Sequence, residues 1–267
     1  MGGVLSACGE KPLAMTFDLK REEPVRHASA APSEVSGSAP AAIPPGLKAH
    51  ASTVRARRGQ TLALTLDGSE AAFVVQSGAL MLHLTLPDEL RQVVAILYPG
   101  DVFRTAFAPP AAAAHLSAVS AGEVLRFRWS ALARLVGSEP EVARYFEDAV
   151  AGQTARQAIH MMAVGRFDCR QRVATFLVEL VLRTGVRAPC GGVAFEMPLS
   201  RTDMADYLGL NADTLSRTMS RLRASGLLSH PDRHRALVRD FEALAALTPA
   251  TPSLIALHGE TPAGRAL

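Results

Sequence analysis

Asp213, Ser216, Arg217, Ser220 and Arg221 are the residues of this chain whose types and spacing carry the clearest chemistry. Their three- and four-residue spacing places them on one side of a helix. A guanidinium can donate to guanine or to a phosphate, a hydroxyl can hold a phosphate, and a carboxylate can accept from the amino group of cytosine. The opposite side of the same helix offers Leu215, Met219 and Leu222 to a core. Such a helix can read base edges, provided that a second element presents it to a groove.

The surrounding run, PLSRTDMADYLGLNADTLSRTMSRLRASGLL over 198–228, supplies that element. Ser200 precedes a helical stretch and Asp203 follows three residues later, a carboxylate variant of the capping box. Met204, Ala205, Tyr207 and Leu208 give this first helix an apolar face, and Gly209 supplies a turn. Asn211 then caps the second helix. Two short helices about a glycine form a helix-turn-helix, whose second helix can enter a DNA major groove. Ser200 and Arg201 at the start of the first helix, and Asn211 and Thr214 at the start of the second, join the DNA-facing set. Arg223, farther along, is placed for phosphate.

The elements around this motif follow from periodicity. Residues 1–48 are rich in Ala, Pro, Ser and Gly without a sustained hydrophobic period, which predicts a mobile tail. Residues 49–138 alternate. In ALMLHLTL, Leu80, Leu82, Leu84 and Leu86 face one way, and Ala79, Met81, His83 and Thr85 the other. TLALTL, AAFVVQ, RQVVAILY and EVLRFRW read as further strands, punctuated by Gly59, Gly68, Gly78 and Gly100. This predicts a β-barrel or jelly roll. Residues 139–166 read as one long helix, with Val142, Phe146, Val150, Ala158, Met161 and Met162 near one stripe, a candidate dimer seam. Residues 167–249 hold a helix capped by Asp168, a strand in GGVAFEMPL, the helix-turn-helix, and a hairpin turning near Pro231–His234 as a wing. Residues 250–267 read as a C-terminal tail.

Composition narrows the function classes. The 267 residues carry a net charge of +3, and the only lysines are Lys11, Lys20 and Lys48. Three cysteines, Cys8, Cys169 and Cys190, are too scattered for a disulfide framework, so a reducing cytoplasm is expected. No apolar run is long enough to span a bilayer, and no signal-peptide pattern opens the chain, so no membrane partner is expected. No Ser/His/Asp order, metal-spaced His/Cys cluster or phosphate loop points to an enzyme.

Residues from about 50 to 248 resemble the Crp/Fnr family of bacterial transcription regulators. LSRTDMADYLGLNADTLSRTMSRLRASGLL carries the resemblance most specifically. Arg58-Gly59, VVQSGAL (74–80), LYPGDVF (97–103) and GRFDCRQRVATFLVEL (165–180) support it, and the last of these is similar to the Fnr and FixK branches. The resemblance implies an α+β fold: a cyclic-nucleotide-binding-type β-barrel, a long dimerisation helix and a C-terminal winged helix. It also implies a homodimer on double-stranded DNA, with RNA polymerase as a partner. The Fnr and FixK branches place Glu, then Ser-Arg, on the recognition helix; here these positions are Asp213, Ser216 and Arg217. The implied operator is a palindrome of TTGAT-like half-sites.

The same resemblance speaks to cofactors. Cyclic-nucleotide binding in the family uses a Gly-Glu pair and a later arginine; here Asp101 stands for the glutamate, and Ala112-Ala113 where the arginine and its neighbour would be. An Fnr-type iron–sulfur cluster needs four thiolates, and the chain has three cysteines. Neither group is expected, and no other cofactor is predicted. Haem needs only one or two axial ligands, and His83 and His115 in the barrel leave it open, with no residue assigned as ligand. A regulator gated by haem or another small molecule in the barrel is therefore the alternative to a regulator that binds DNA unaided. Cys169 is a candidate redox switch: a helix N-terminus and the flanking Arg166 and Arg170 favour a thiolate.

Overall fold

The computed structural model describes residues 42–85, 90–107, 113–189, 191–229 and 235–259. The expectations for Cys8, Cys190, Ala112, the wing turn at 231–234 and residues 1–41 lie outside these. A short helix α1 (Pro45–Ala49) falls within the stretch expected to be a tail. Its Leu47 is fully buried against Val74, Leu125, Phe127 and Leu132. One leucine among Pro, Gly and Ala gives no period, which is why the sequence pattern does not show this anchor.

The alternating region folds as expected into two antiparallel sheets. They are built from β1 (Ser52–Ala56), β2 (Thr61–Leu62), β3 (Thr65–Leu66), β4 (Ser69–Val75), β5 (Leu80–Thr85), β6 (Arg91–Leu97), β7 (Val102–Arg104), β8 (Ala113–Ala118) and β9 (Gly122–Arg128). One sheet runs β1-β9-β4-β3 with β7 paired to β4; the other runs β2-β8-β5-β6. Phe73, Leu80, Leu82, Phe103, Leu116 and Val124 fill the space between them. TLALTL, expected as one strand, is split into two short ones. His115 lies on β8 itself, directly opposite His83 of β5.

Strand β5 has two buried faces. Leu80 and Leu82 point into the barrel, as the alternation predicts. Ala79, just before the strand, and Met81 join Val93, Ile96 and Tyr98 in a second core shared with the C-terminal domain.

The barrel ends at Arg128, and the next residues form α2 (Trp129–Ser138), which the sequence analysis assigned to the barrel. Its N-cap, Arg128, makes no side-chain capping bond, so no local signal marks its start. The long helix α3 (Pro140–Arg166) follows as expected. Its single predicted stripe is a correction: the apolar residues divide between two faces. Val142, Tyr145, Ile159 and Ala163 are buried within the chain, and Phe146 is half-buried beside Tyr145. Val150, Ala158, Met161 and Met162 face solvent, with Met161 67% exposed.

The C-terminal domain comprises α4 (Cys169–Thr184), β10 (Val186–Arg187), β11 (Val193–Glu196), α5 (Arg201–Leu208), α6 (Ala212–Ala224), β12 (Leu228–Ser229), β13 (Arg235–Val238) and α7 (Phe241–Ala245). Asp168 and Gln171 form a reciprocal capping box at the start of α4. A last helix, α8 (Thr251–His258), lies within the stretch expected to be a C-terminal tail, and its Leu254 is fully buried. None of the described helices is long and apolar enough to cross a membrane.

A buried ionic node joins barrel, long helix and C-terminal domain. Asp101 is 4% exposed. Its carboxylate accepts from Arg156 of α3 at 2.6 Å, from Arg183 of α4 at 3.0 Å and from the Tyr98 backbone at 2.9 Å. Arg183 also lies over the Tyr98 ring. Glu179 of α4 and His258 of α8 stand at the same junction, 4.0 Å apart. Burial raises the Glu179 carboxyl and pushes the His258 imidazole down to about 3.

His160 stacks on Tyr207 across the junction of α3 and α5, with ring centroids 4.0 Å apart. Burial lowers it from 6.5 to about 4. The unfolded chain therefore takes up this proton first as pH falls. Stability is complete above about pH 6.5 and is lost on the way down to about 4, where the folded form also protonates. From His160 alone the loss at about pH 5 is about 2 kcal/mol. His160→Phe, which keeps a ring against Tyr207, should recover that amount in urea unfolding at pH 5 relative to pH 7.5. An unchanged pH dependence in the variant would refute this assignment.

Candidate DNA-binding surface

Local chemistry builds the helix-turn-helix. Ser200 caps α5: its Oγ accepts from the Asp203 backbone at 3.1 Å and donates to the Asp203 carboxylate at 2.6 Å. Met204, Ala205, Tyr207 and Leu208 are buried, as the pattern predicts. Gly209 ends the helix in the left-handed region at φ 59°, ψ 42°. A side chain there would be strained, and its Cβ would lie 3.3 Å from Val164 Cγ1.

Arg172 of α4 closes the turn and was missed from sequence. Its Nη1 donates to the carbonyls of Leu208 and Gly209, each at 3.2 Å, while Nε holds the Phe167 carbonyl at 2.9 Å. Carbonyls left open at the end of α5 are thereby satisfied by a cation, a favourable partner for a helix C-terminus. The position alone, in the first turn of another helix, gives no hint of this reach.

Asn211 then caps α6, its Oδ1 accepting from the Thr214 backbone at 2.7 Å. Leu215, Met219 and Leu222 are 0–3% exposed and lock one face of α6 into the domain core. Each such side chain contributes about 1.5–3 kcal/mol by leaving water. The opposite face carries Asp213, Arg217, Ser220 and Arg221, all exposed. Ser216 and Thr214 are half-buried at its margins. Arg223 is exposed on the flank and donates to Ser220 Oγ at 2.9 Å. Ser200, Arg201 and Asn211 are exposed too.

The wing strands pair antiparallel, Leu228 opposite Val238 and Ser229 opposite Leu237, and β13 continues onto β11. The sheet thus runs β10-β11-β13-β12 beside the helices.

A model of the Crp-like helix-turn-helix domain matches residues 171–247. The nitrogen fixation regulation protein FixK of Azorhizobium caulinodans is 32% identical over 185 residues, 67% of this chain and 72% of that protein. The chain belongs to the Crp/Fnr family of transcription regulators. The transcriptional activator protein FnrL of Cereibacter sphaeroides is 28% identical over 189 residues, 70% of this chain and 76% of that protein. The solved structure of FixK2 from Bradyrhizobium japonicum aligns at a TM-score of 0.62 and 30% identity, covering 75% of this chain and 98% of that one. The family assignment makes the chain a DNA-binding transcription regulator and not an enzyme, as the sequence analysis expects.

Against the family's sensor chemistry, Asp101 is committed to the two arginines of the buried node, and Ala113 is an exposed residue at the start of β8. His83 and His115 lie face to face, ring centroids 4.8 Å apart and 14° from parallel. Among the described residues no group of three or more His, Cys, Asp or Glu is placed to hold a metal. Cys169 is the first residue of α4, partly exposed, between Asp168 and Arg170.

Proposed function

We propose that this regulator binds a palindrome of TTGAT-like half-sites as a homodimer and recruits its effect through RNA polymerase. The observation that carries the reading is the two-faced α6, with Leu215, Met219 and Leu222 held inside and Asp213, Arg217, Ser220 and Arg221 outside. In the groove, Arg217 donates to guanine and Asp213 accepts from cytosine, with Ser216 and Ser220 beside them. Ser200, Arg201, Asn211, Thr214, Arg221 and Arg223 hold phosphates and fix the register.

Half-sites one helical turn apart, about 34 Å, require two copies related by a two-fold axis. The exposed Val150, Ala158, Met161 and Met162 of α3 supply an apolar seam for the second copy.

Arg217→Ala should cost about 1–3 kcal/mol on the specific site and relax the base preference there. Arg223→Ala should weaken all sequences alike and lower the salt slope by about one unit. Anisotropy titrations on specific and random duplexes separate the two; equal losses on both duplexes for Arg217→Ala would remove it from base reading.

Val150→Glu with Met161→Glu should give a monomer by sedimentation and lose operator binding at least about 100-fold, with the barrel still folded. Phe146 is unsuited to this test, because it is partly buried against the chain's own core. A double variant that stays dimeric would move the seam elsewhere.

Cys169 completes the reading as a thiol switch at the start of the DNA-binding domain. Mild peroxide should weaken DNA binding reversibly, and Cys169→Ser should abolish that response in a gel shift with thiol rescue. A serine variant as sensitive as the wild type would leave Cys169 a packing residue.

A further inference from the structure

Arg91 stands at the start of β6, on the barrel, and its guanidinium forks onto two carboxylates of α5. Nη2 donates to Asp203 at 2.6 Å, and Nη1 donates to Asp206. The next residue, Gln92, donates through its side chain to the Asp206 carbonyl. Arg58, in the turn after β1, donates to the carbonyl of Pro198 just before α5, at 3.4 Å. The barrel thus grips the first helix of the helix-turn-helix through both its side chains and its backbone.

These ion pairs are not ordinary surface contacts. Arg91, Asp203 and Asp206 are 32%, 22% and 29% exposed, so water screens them less than it would a fully exposed pair. Asp203 and Asp206 lie one turn apart on one helix, where two carboxylates repel unless a cation stands between them. Arg91 is that cation. Asp203 also accepts a hydrogen bond from the hydroxyl of Ser200, the capping residue. Burial works against its negative charge, but the bonds from Ser200 and Arg91 hold its carboxyl below the usual range.

We propose that Arg91 is a positioning residue for operator binding: by bridging Asp203 and Asp206 it fixes α5 against the barrel, and α5 sets the angle at which α6 is presented. Without Arg91, α5 and the α6 packed on it must be ordered when DNA binds, which costs affinity. The proposal rests on the DNA-binding reading and assigns the barrel hairpin a part in it.

The test uses the full chain and a duplex carrying the TTGAT palindrome. Arg91→Ala should weaken specific binding about ten-fold while changing random-duplex affinity by less than about two-fold. Its unfolding midpoint should stay near that of the wild type. The charge-swapped pair Arg91→Asp with Asp206→Arg should recover most of the loss, which a merely destabilising change would not allow. Amide exchange without DNA judges the grip independently: residues 201–208 should exchange faster in Arg91→Ala than in the wild type. A wild type that ignores the duplex while exchange behaves as stated defeats the operator assignment and leaves the grip. Unchanged exchange, wild-type or tighter operator binding by Arg91→Ala, or a swap that rescues nothing overturns the proposal.

Discussion

A single buried carboxylate, Asp101, is the point through which the parts of this regulator are held together. Removing it from water is costly, and the cost is met only because two guanidinium groups and a backbone amide converge on it. One guanidinium comes from the long helix and the other from the first helix of the DNA-binding domain. The barrel, the helix and the reading head therefore share one electrostatic centre. Loss of Asp101 would leave two buried guanidinium groups without this carboxylate, so the relative placement of the three parts is specified by charge pairing as well as by apolar packing. Arg156 reflects the tension: burial pulls its guanidinium down, with Asp101 and Glu179 holding it charged.

Beyond this centre the helix-turn-helix is locally determined. Ser200, Gly209 and Asn211 set helix ends through bonds or dihedrals within a few residues. The angle between its helices is also braced from outside, by Arg172 on the turn carbonyls. The reading head is thus a local motif held in a long-range frame.

That division explains what was legible. The faces of α6, its cap and the barrel strands could be read because each depends on near neighbours and on the period of its own element. Helix α2 could not, because it follows β9 without a capping side chain, glycine or proline. Helix α8 could not, because its anchoring depends on Leu254 finding a core built by α4. Helix α3 shows one blurred period in place of two faces, because it is buried on one face and apolar on another. Asp101 and Arg91 were invisible in their roles, since their partners lie 55, 82 and 112 residues or more away.

The two buried faces of β5 bear on how the molecule folds and comes apart. Leu80 and Leu82 belong to the barrel interior, whereas Met81, with Val93 and Ile96 of β6, belongs to the core of the C-terminal half. A hairpin owned by two cores cannot leave one without exposing apolar surface to water. Cutting the chain at the end of α3 would leave that face of the barrel uncovered and would part it from the core that also holds Phe176 and Leu177. The boundary between barrel and DNA-binding domain is thus one of function and not of packing: a core that holds Met81, Val93 and Ile96 together with Phe176 and Leu177 runs across it.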